Sequence, residues 1–238
     1  MNAFRPAGRP LRSGRRPAQV SLRVFFAFSS YNYIVKFPKG IKYIIGVDEA
    51  GRGPLAGPVS VGVCALPFKM TRRDFKGIRD SKKLSEKMRD VWFAKMLEMQ
   101  KVGGLYFSVN LVSNKIIDER GISFAIKKAM KEGLVEVMGN MRAKYSECFV
   151  LLDGSLHAPS EFLFQKTIIK GDEKEFVISL ASIAAKVTRD KYMKKMAKKY
   201  PNYGFEVHKG YGTAKHIISI KKEGISALHR KSFLKNIV

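Results

Sequence analysis

Cysteine, acidic side chains and long apolar runs are all scarce in this chain. Only Cys64 and Cys148 are present, each inside an apolar run, with no C-x-x-C and no paired Cys/His spacing. That argues against a disulfide framework or a cysteine-built zinc site and fits a reducing compartment. No apolar run reaches the roughly 18–20 residues of a membrane-spanning helix; the longest candidate, "VFFAFSSYNYIV", is broken by polar residues. The expectation is a soluble, cytoplasmic, monomeric protein with no membrane partner. No G-K-[ST] occurs either, which removes a Walker A nucleotide site.

Twenty Asp/Glu stand against 45 Lys/Arg, a formal net charge of +25 over 238 residues. A polyanion is therefore the first partner to consider, nucleic acid ahead of a membrane surface. Residues 1–40 hold eight Lys/Arg and no acid, so 17 of the 25 excess positive charges belong to the rest of the chain. That opening segment is rich in Arg, Pro, Ser and Gly and buries too little to order itself. It is expected to be a disordered basic extension, with a targeting peptide or translated upstream sequence as the competing readings. Residues 41–238 are expected to form one α/β domain, whose C-terminal segment begins near residue 200.

Within that domain, β-rich or continuously apolar runs bounded by turn residues predict strands over 43–47, 58–66, 105–110, 148–153 and 167–170. The first, fourth and fifth look buried. Helices are predicted over 85–101, 111–118, 122–138, 176–199 and 213–223, with Ser85 as an N-cap and Gly103-Gly104 as a stop. The stretch 204–211 has the glycines and aromatics of a functional loop. An early hairpin followed by alternating helices and strands implies a mixed sheet covered by helices.

In a chain so poor in acids, those at strand ends stand out. Asp48 and Glu49 close "YIIGV", Asp153 closes "CFVLL", and Asp172 follows "TIIKG". Carboxylates gathered at neighbouring strand ends repel one another by about 4 kcal/mol per close pair at an effective dielectric near 20. A pair of hard divalent cations offsets that repulsion. Taken singly, Asp153-Gly154 also reads as a turn and Asp172 as a turn or helix cap. Two adjacent acids at the end of a buried strand, Asp48 and Glu49, require cations or exposure.

The glycines of "GRGPLAG" suggest a dinucleotide-binding turn, but their spacing is G-x-G-x-x-x-G and they run into the strand-like "PVSVGVCAL". The other reading is that Gly51 and Gly53 let backbone approach a ligand closely, with Arg52 available to a phosphate or a sugar hydroxyl.

"GVDEAGRGPLAGPV", "DSKKLSEKMRD", "LLDG", "KGDEKEFVISLASIAAKVTRD" and "YPNYGFEVHKGYGTAKH", closing with "HRKSF", together resemble bacterial ribonuclease HII over about residues 41–233. The resemblance implies a ribonuclease H-like fold, a mixed five-stranded sheet flanked by helices with a small C-terminal helical and loop region. It implies a metal-dependent endonuclease acting on RNA–DNA hybrids and on single ribonucleotides embedded in duplex DNA. It further implies cleavage 5′ of the ribonucleotide by a two-metal hydrolysis, with Mg²⁺ or Mn²⁺ as the ions. The family's four catalytic, metal-holding acids fall on Asp48, Glu49, Asp153 and Asp172. Its glycine-arginine-glycine motif, which contacts the 2′-hydroxyl, falls on Gly51, Arg52 and Gly53. Its tyrosine that stacks on the following deoxyribose falls on Tyr211.

Other positions follow with competing readings. Ser81, Lys82 and Lys83 precede a helix N-terminus and suit phosphate contacts, and Lys186 is placed to reach a phosphate; a solvated charged face is the alternative. Ala181, Ser182, Ala184 and Ala185 suit close helix packing. Glu173 and Glu175 crowd Asp172, which leaves a ligand shift within "GDEKE" open. His157, His208, His216 and His229 are not at metal spacing, and His208 and Lys209 beside Gly210 shape the tyrosine loop. No sliding-clamp tail is evident after Phe233. The rival function is a catalytically weak, basic duplex-binding protein on the same scaffold.

Overall fold

The computed structural model describes residues 22–23, 35–70, 72–78, 83–235 and 237. Five strands, β1 (Tyr43–Ala50), β2 (Val59–Pro67), β3 (Tyr106–Val112), β4 (Cys148–Asp153) and β5 (Gln165–Ile168), form one sheet in the order β3-β2-β1-β4-β5. The first three make an antiparallel meander, while β4 runs parallel to β1 and β5 parallel to β4. The helices are α1 (Glu86–Lys101), α2 (Asn114–Arg120), α3 (Ile122–Met141), α4 (Gly171–Lys174), α5 (Phe176–Ala197), α6 (Phe205–His208) and α7 (Ala214–Glu223). The expected mixed α/β sheet is the one observed. Among the described residues, no helix is long and apolar enough to cross a membrane.

Period-two alternation gives the sheet two apolar faces. Ile45, Val47, Val61 and Val63 pack with Ala125, Ala129, Met130 and Val137 of α3 on one side. Cys64, Leu66 and Leu151 pack with Trp92 and Met96 of α1 and with α5 on the other. A Cβ on Gly46 would lie 2.3 Å from the Val177 carbonyl oxygen, and one on Gly62 would lie 2.1 Å from that of Ala181. These two glycines let the α5 backbone rest directly on β1 and β2, where Ala181, Ala184 and Ala185 are fully buried, in keeping with the packing role expected of them.

Several boundaries differ from expectation, each for a pairing reason. Strand β1 continues through Asp48 and Glu49, which stand opposite Gly62 and Val61, so both acids lie inside the strand. Strand β3 takes in Leu111 and Val112, paired with Ser60 and Val59, and α2 therefore starts only at Asn114. Strand β2 is the most fully buried strand, whereas β5 is a half-buried edge strand that stops at Ile168. Beyond it, Lys170 takes a left-handed φ of 55° and turns the chain into α4. The expected loop over 204–211 contains the helical turn α6.

Core packing extends to residues before 41. Val35 and Phe37 are buried, and the Phe37 ring lies 4.9 Å from Phe149 and 5.2 Å from Phe68, edge-on to both. Apart from residues 22–23 and 35–40, the expected basic extension lies outside the described residues.

Candidate active site

Three parallel strands deliver the acids to one edge of the sheet, the carboxyl ends where α/β folds place their ligands. Val47 of β1 stands beside Leu152 of β4, so Asp48 and Asp153 are the next pair in register. Asp153 in turn stands beside Ile168 of β5. Its Oδ1 accepts a hydrogen bond from the Gly171 N–H at 2.6 Å, fixing the start of α4, where Asp172 is fully buried. Asp48 is 3% exposed, and its Oδ1 accepts from the Glu49 N–H at 2.8 Å. The Ser182 hydroxyl of α5 donates to the same carboxyl group.

Burial raises the Asp48 pKa well above the usual carboxylate range. The charges of Asp153, Glu49 and Asp172 raise it further, and the Ser182 hydrogen bond opposes them. The other three acids singled out in the sequence are thus each within electrostatic reach of Asp48. Among the acids of "GDEKE", Asp172 is the one whose charge acts on Asp48.

Glu49 accepts from Arg52 Nε at 2.9 Å. Among the described residues, no three Asp, Glu, His or Cys side chains converge tightly enough to grip an ion as they stand. Asp48, Glu49 and Asp153 each already accept from a protein donor. A hard divalent ion competes for the same oxygens and relieves the repulsion that burial intensifies. The donor set fits such an ion: all carboxylate, partly desolvated and concentrated in an otherwise basic chain.

The glycine-arginine-glycine turn leaves β1 directly after these acids. Gly51 has a φ of 90°, and a Cβ there would sit 2.1 Å from Arg189 Nε. Nothing lies within 4 Å of a Cβ built on Gly53, so the turn is open at that point. From below, two fully buried arginines hold carbonyls of the loop over residues 51–58. Arg189 donates to Pro58 O (2.9 Å) and Ala56 O (3.1 Å). Arg230 donates to Gly57 O (2.9 Å), Arg52 O (2.9 Å) and Gly51 O (2.7 Å). Burial and the neighbouring Arg189 cation push the Arg230 guanidinium down to about 9, which leaves it charged at neutral pH.

The C-terminal segment completes the frame. Leu55 N–H donates to Gly210 O at 2.8 Å, Gly57 N–H to Leu228 O at 2.9 Å, and Arg230 N–H to Leu55 O at 2.8 Å. Tyr211 follows immediately, half exposed, its ring 5.7 Å from the Arg189 guanidinium and 5.9 Å from Lys186 Nζ. Lys186 pairs with Asp190 at 2.7 Å. His208 does shape the loop: its Nδ1 accepts from the Gly210 N–H at 3.1 Å, while Lys209 supplies a left-handed φ of 52°. Lys83 is exposed ahead of α1, whose N-cap Ser85 accepts from the Met88 N–H at 3.2 Å. Ser81 and Lys82 lie outside the described residues.

Four contributors escaped the sequence reading: Ser182 as a partner of Asp48, the buried arginines 189 and 230, and the joining of His208, His216 and His229 into one cluster. The rings of His208 and His216 stack at 4.3 Å, and His216 Nε2 lies 3.1 Å from His229 Nε2. A signal for Arg189 was available, since it falls in step with Ala181, Ala185 and Met193 on the buried face of α5.

A family model described as ribonuclease HII matches residues 45–236. A ribonuclease HII of Ruminiclostridium cellulolyticum is 44% identical over 200 residues, covering 84% of this chain and 73% of that one. The crystal structure of the ribonuclease H2 from Pyrococcus horikoshii is similar with a TM-score of 0.60 and 27% identity, over 80% of this chain and 93% of that one. An Archaeoglobus fulgidus ribonuclease HII, solved in complex with PCNA, gives a TM-score of 0.60 and 26% identity over 79% and 93% of the two chains.

Proposed function

The chain belongs to the ribonuclease HII family of endoribonucleases, and from that premise we propose that it nicks duplexes on the 5′ side of a ribonucleotide. Single ribonucleotides embedded in DNA are substrates in this reading, alongside RNA–DNA hybrids. The observation that carries it is the continuity of strand β1 with the turn that follows. Asp48, among the other acids, lies three residues before Gly51, where an open, clamped turn begins.

Asp48, Glu49, Asp153 and Asp172 would hold Mg²⁺ or Mn²⁺, two ions when substrate is present. Bound there, divalent ions supply Lewis acidity at the scissile phosphate. Ser182 orients the Asp48 carboxylate from α5. The turn of residues 51–53 presents backbone to the 2′-hydroxyl, the group that separates RNA from DNA at one nucleotide. Arg52 is half exposed and held by Glu49, from which it turns to a sugar or phosphate oxygen. The exposed face of Tyr211 stacks on the next sugar, and Lys186 beside it faces a phosphate. The basic surface draws the duplex in. Residues from about 35 to 238 form the catalytic unit, including the segment after residue 200 that frames the turn. The two buried free thiols accord with a reducing cytoplasm.

The test is a duplex carrying one ribonucleotide, incubated with purified protein and Mg²⁺ or Mn²⁺. A nick 5′ of the ribonucleotide is expected, lost without metal and lost in Asp48→Asn while duplex binding persists. A folded protein that makes no metal-dependent nick overturns the proposal.

A further inference from the structure

Arg230 lies in "HRKSF", far from the turn of residues 51–53 in sequence, yet three of its donors end on that loop. Nη2 takes the carbonyl of Gly51 (2.7 Å), Nη1 that of Arg52 (2.9 Å) and Nε that of Gly57 (2.9 Å). In a planar trans peptide, the C=O of one residue and the N–H of the next point in opposite directions. Drawing the carbonyls of Gly51 and Arg52 inward therefore turns the N–H groups of Arg52 and Gly53 outward, on the side away from the guanidinium. A Cβ built on Gly53 meets nothing within 4 Å, so the turn is uncovered at that residue.

We propose that Arg230 is the positioning residue for ribose discrimination: it locks the turn so that two consecutive backbone N–H groups face the sugar of the nucleotide to be cleaved. The inference rests on the function proposed above and adds to it the residue that sets the turn's conformation. An arginine suits the task because its donors form a rigid planar fork, whereas a lysine ammonium is a compact head that cannot reach three separated carbonyls in one geometry.

The backbone segment that carries Arg230 is itself held from three sides. The Arg230 backbone N–H donates to Leu55 O at 2.8 Å. Asn114 of α2 donates to His229 O at 3.0 Å. The Asp118 carboxylate, also on α2, accepts from the N–H groups of Lys231 and Ser232, both at 2.9 Å, and from the Ser232 hydroxyl at 2.6 Å. Arg189 packs against Gly51 but donates to the far limb of the loop, at Ala56 and Pro58; of the two arginines, Arg230 is the one that hydrogen-bonds the carbonyls of residues 51 and 52.

The experiment compares affinity for a duplex with one ribonucleotide against the same duplex made wholly of DNA, with Ca²⁺ replacing the catalytic ion. Wild type is expected to prefer the ribonucleotide duplex. Arg230→Lys should cut that preference by about tenfold, the loss of one or two well-placed hydrogen bonds, and keep all-DNA affinity within about twofold. A general folding defect would weaken both duplexes alike. Asp118→Ala, which loosens the anchor from a half-buried position, should give an intermediate loss and decides the matter if Arg230→Lys fails to fold. Intact preference in a folded Arg230→Lys, or in Asp118→Ala when that variant must decide, overturns the inference. If wild type itself shows neither preference nor metal-dependent nicking, the parent proposal has failed and takes this one with it.

Discussion

His216 and His229 meet through their Nε2 atoms at 3.1 Å, beneath the loop that carries Tyr211. A contact between two ring nitrogens holds one proton, so the ring that accepts cannot take a proton on that nitrogen without breaking it. The other nitrogen of each ring is engaged as well. His216 Nδ1 lies 2.9 Å from Tyr211 O, and His229 Nδ1 accepts from the Ser226 N–H at 2.9 Å.

This arrangement predicts acid lability of the C-terminal segment. Burial lowers the pKa values of His208, His216 and His229 below 6.5, that of His216 to about 4. A histidine with a depressed folded-state value stabilises the fold above its unfolded value and loses that stability as pH falls. The window here runs from about 6.5 down toward 4. Stability measured by denaturant unfolding should fall across it by up to about 1.4 kcal/mol per pH unit for each histidine that resists charging. His216→Phe should start less stable at neutral pH and show a shallower decline.

Gly62→Ala should damage both stability and activity. The added methyl would stand 2.1 Å from the Ala181 carbonyl oxygen, which belongs to helix backbone and cannot swing aside. Helix α5 must lift from the sheet, at a cost of about 1–3 kcal/mol for overpacking. Lifting α5 also carries Ser182 away from Asp48, which sits directly opposite Gly62 on β1. Thermal unfolding and the nicking assay should therefore fall together, in contrast to Asp48→Asn.

The acids were legible because carboxylates that close apolar β-rich runs in an acid-poor chain have few structural reasons to be there. The sheet and its order of helices were legible for the same cause, periodicity set by burial. What Gly46 and Gly62 admit was not, since a glycine within a strand does not say what approaches it. Arg189 and Arg230 were hidden by their company: "KVTRD" and "HRKSF" look like solvated basic faces until tertiary packing closes over them. The histidines are separated by eight and 13 positions, a spacing that excludes a local motif and leaves only the fold to join them.

Removing residues 1–40, which composition marks as an appendage, should destabilise the domain. The cut takes Val35 and Phe37 out of the core and leaves Phe149 and Phe68 facing the space. Loss of a buried phenylalanine costs about 3–5 kcal/mol. Phe37→Ala in the full chain should reproduce most of the loss in a denaturant titration. If neither change moves the midpoint, the domain boundary at about residue 35 is misplaced.

Asp48→Asn should separate stability from function. Asp48 is buried beside like charges, so in the absence of metal its ionised form works against the fold. Asparagine keeps an oxygen that accepts from the Glu49 N–H and from Ser182 while discarding the charge. The variant should be more stable than wild type without metal, by on the order of 1 kcal/mol. Adding Mn²⁺ should reverse the order: an ion at a hundredfold excess over its dissociation constant stabilises the folded state by about 2.7 kcal/mol, and a site short of one carboxylate forfeits most of that. Paired melting curves with and without Mn²⁺ read both effects directly. A variant that gains as much from Mn²⁺ as wild type would mean that Asp48 holds no ion.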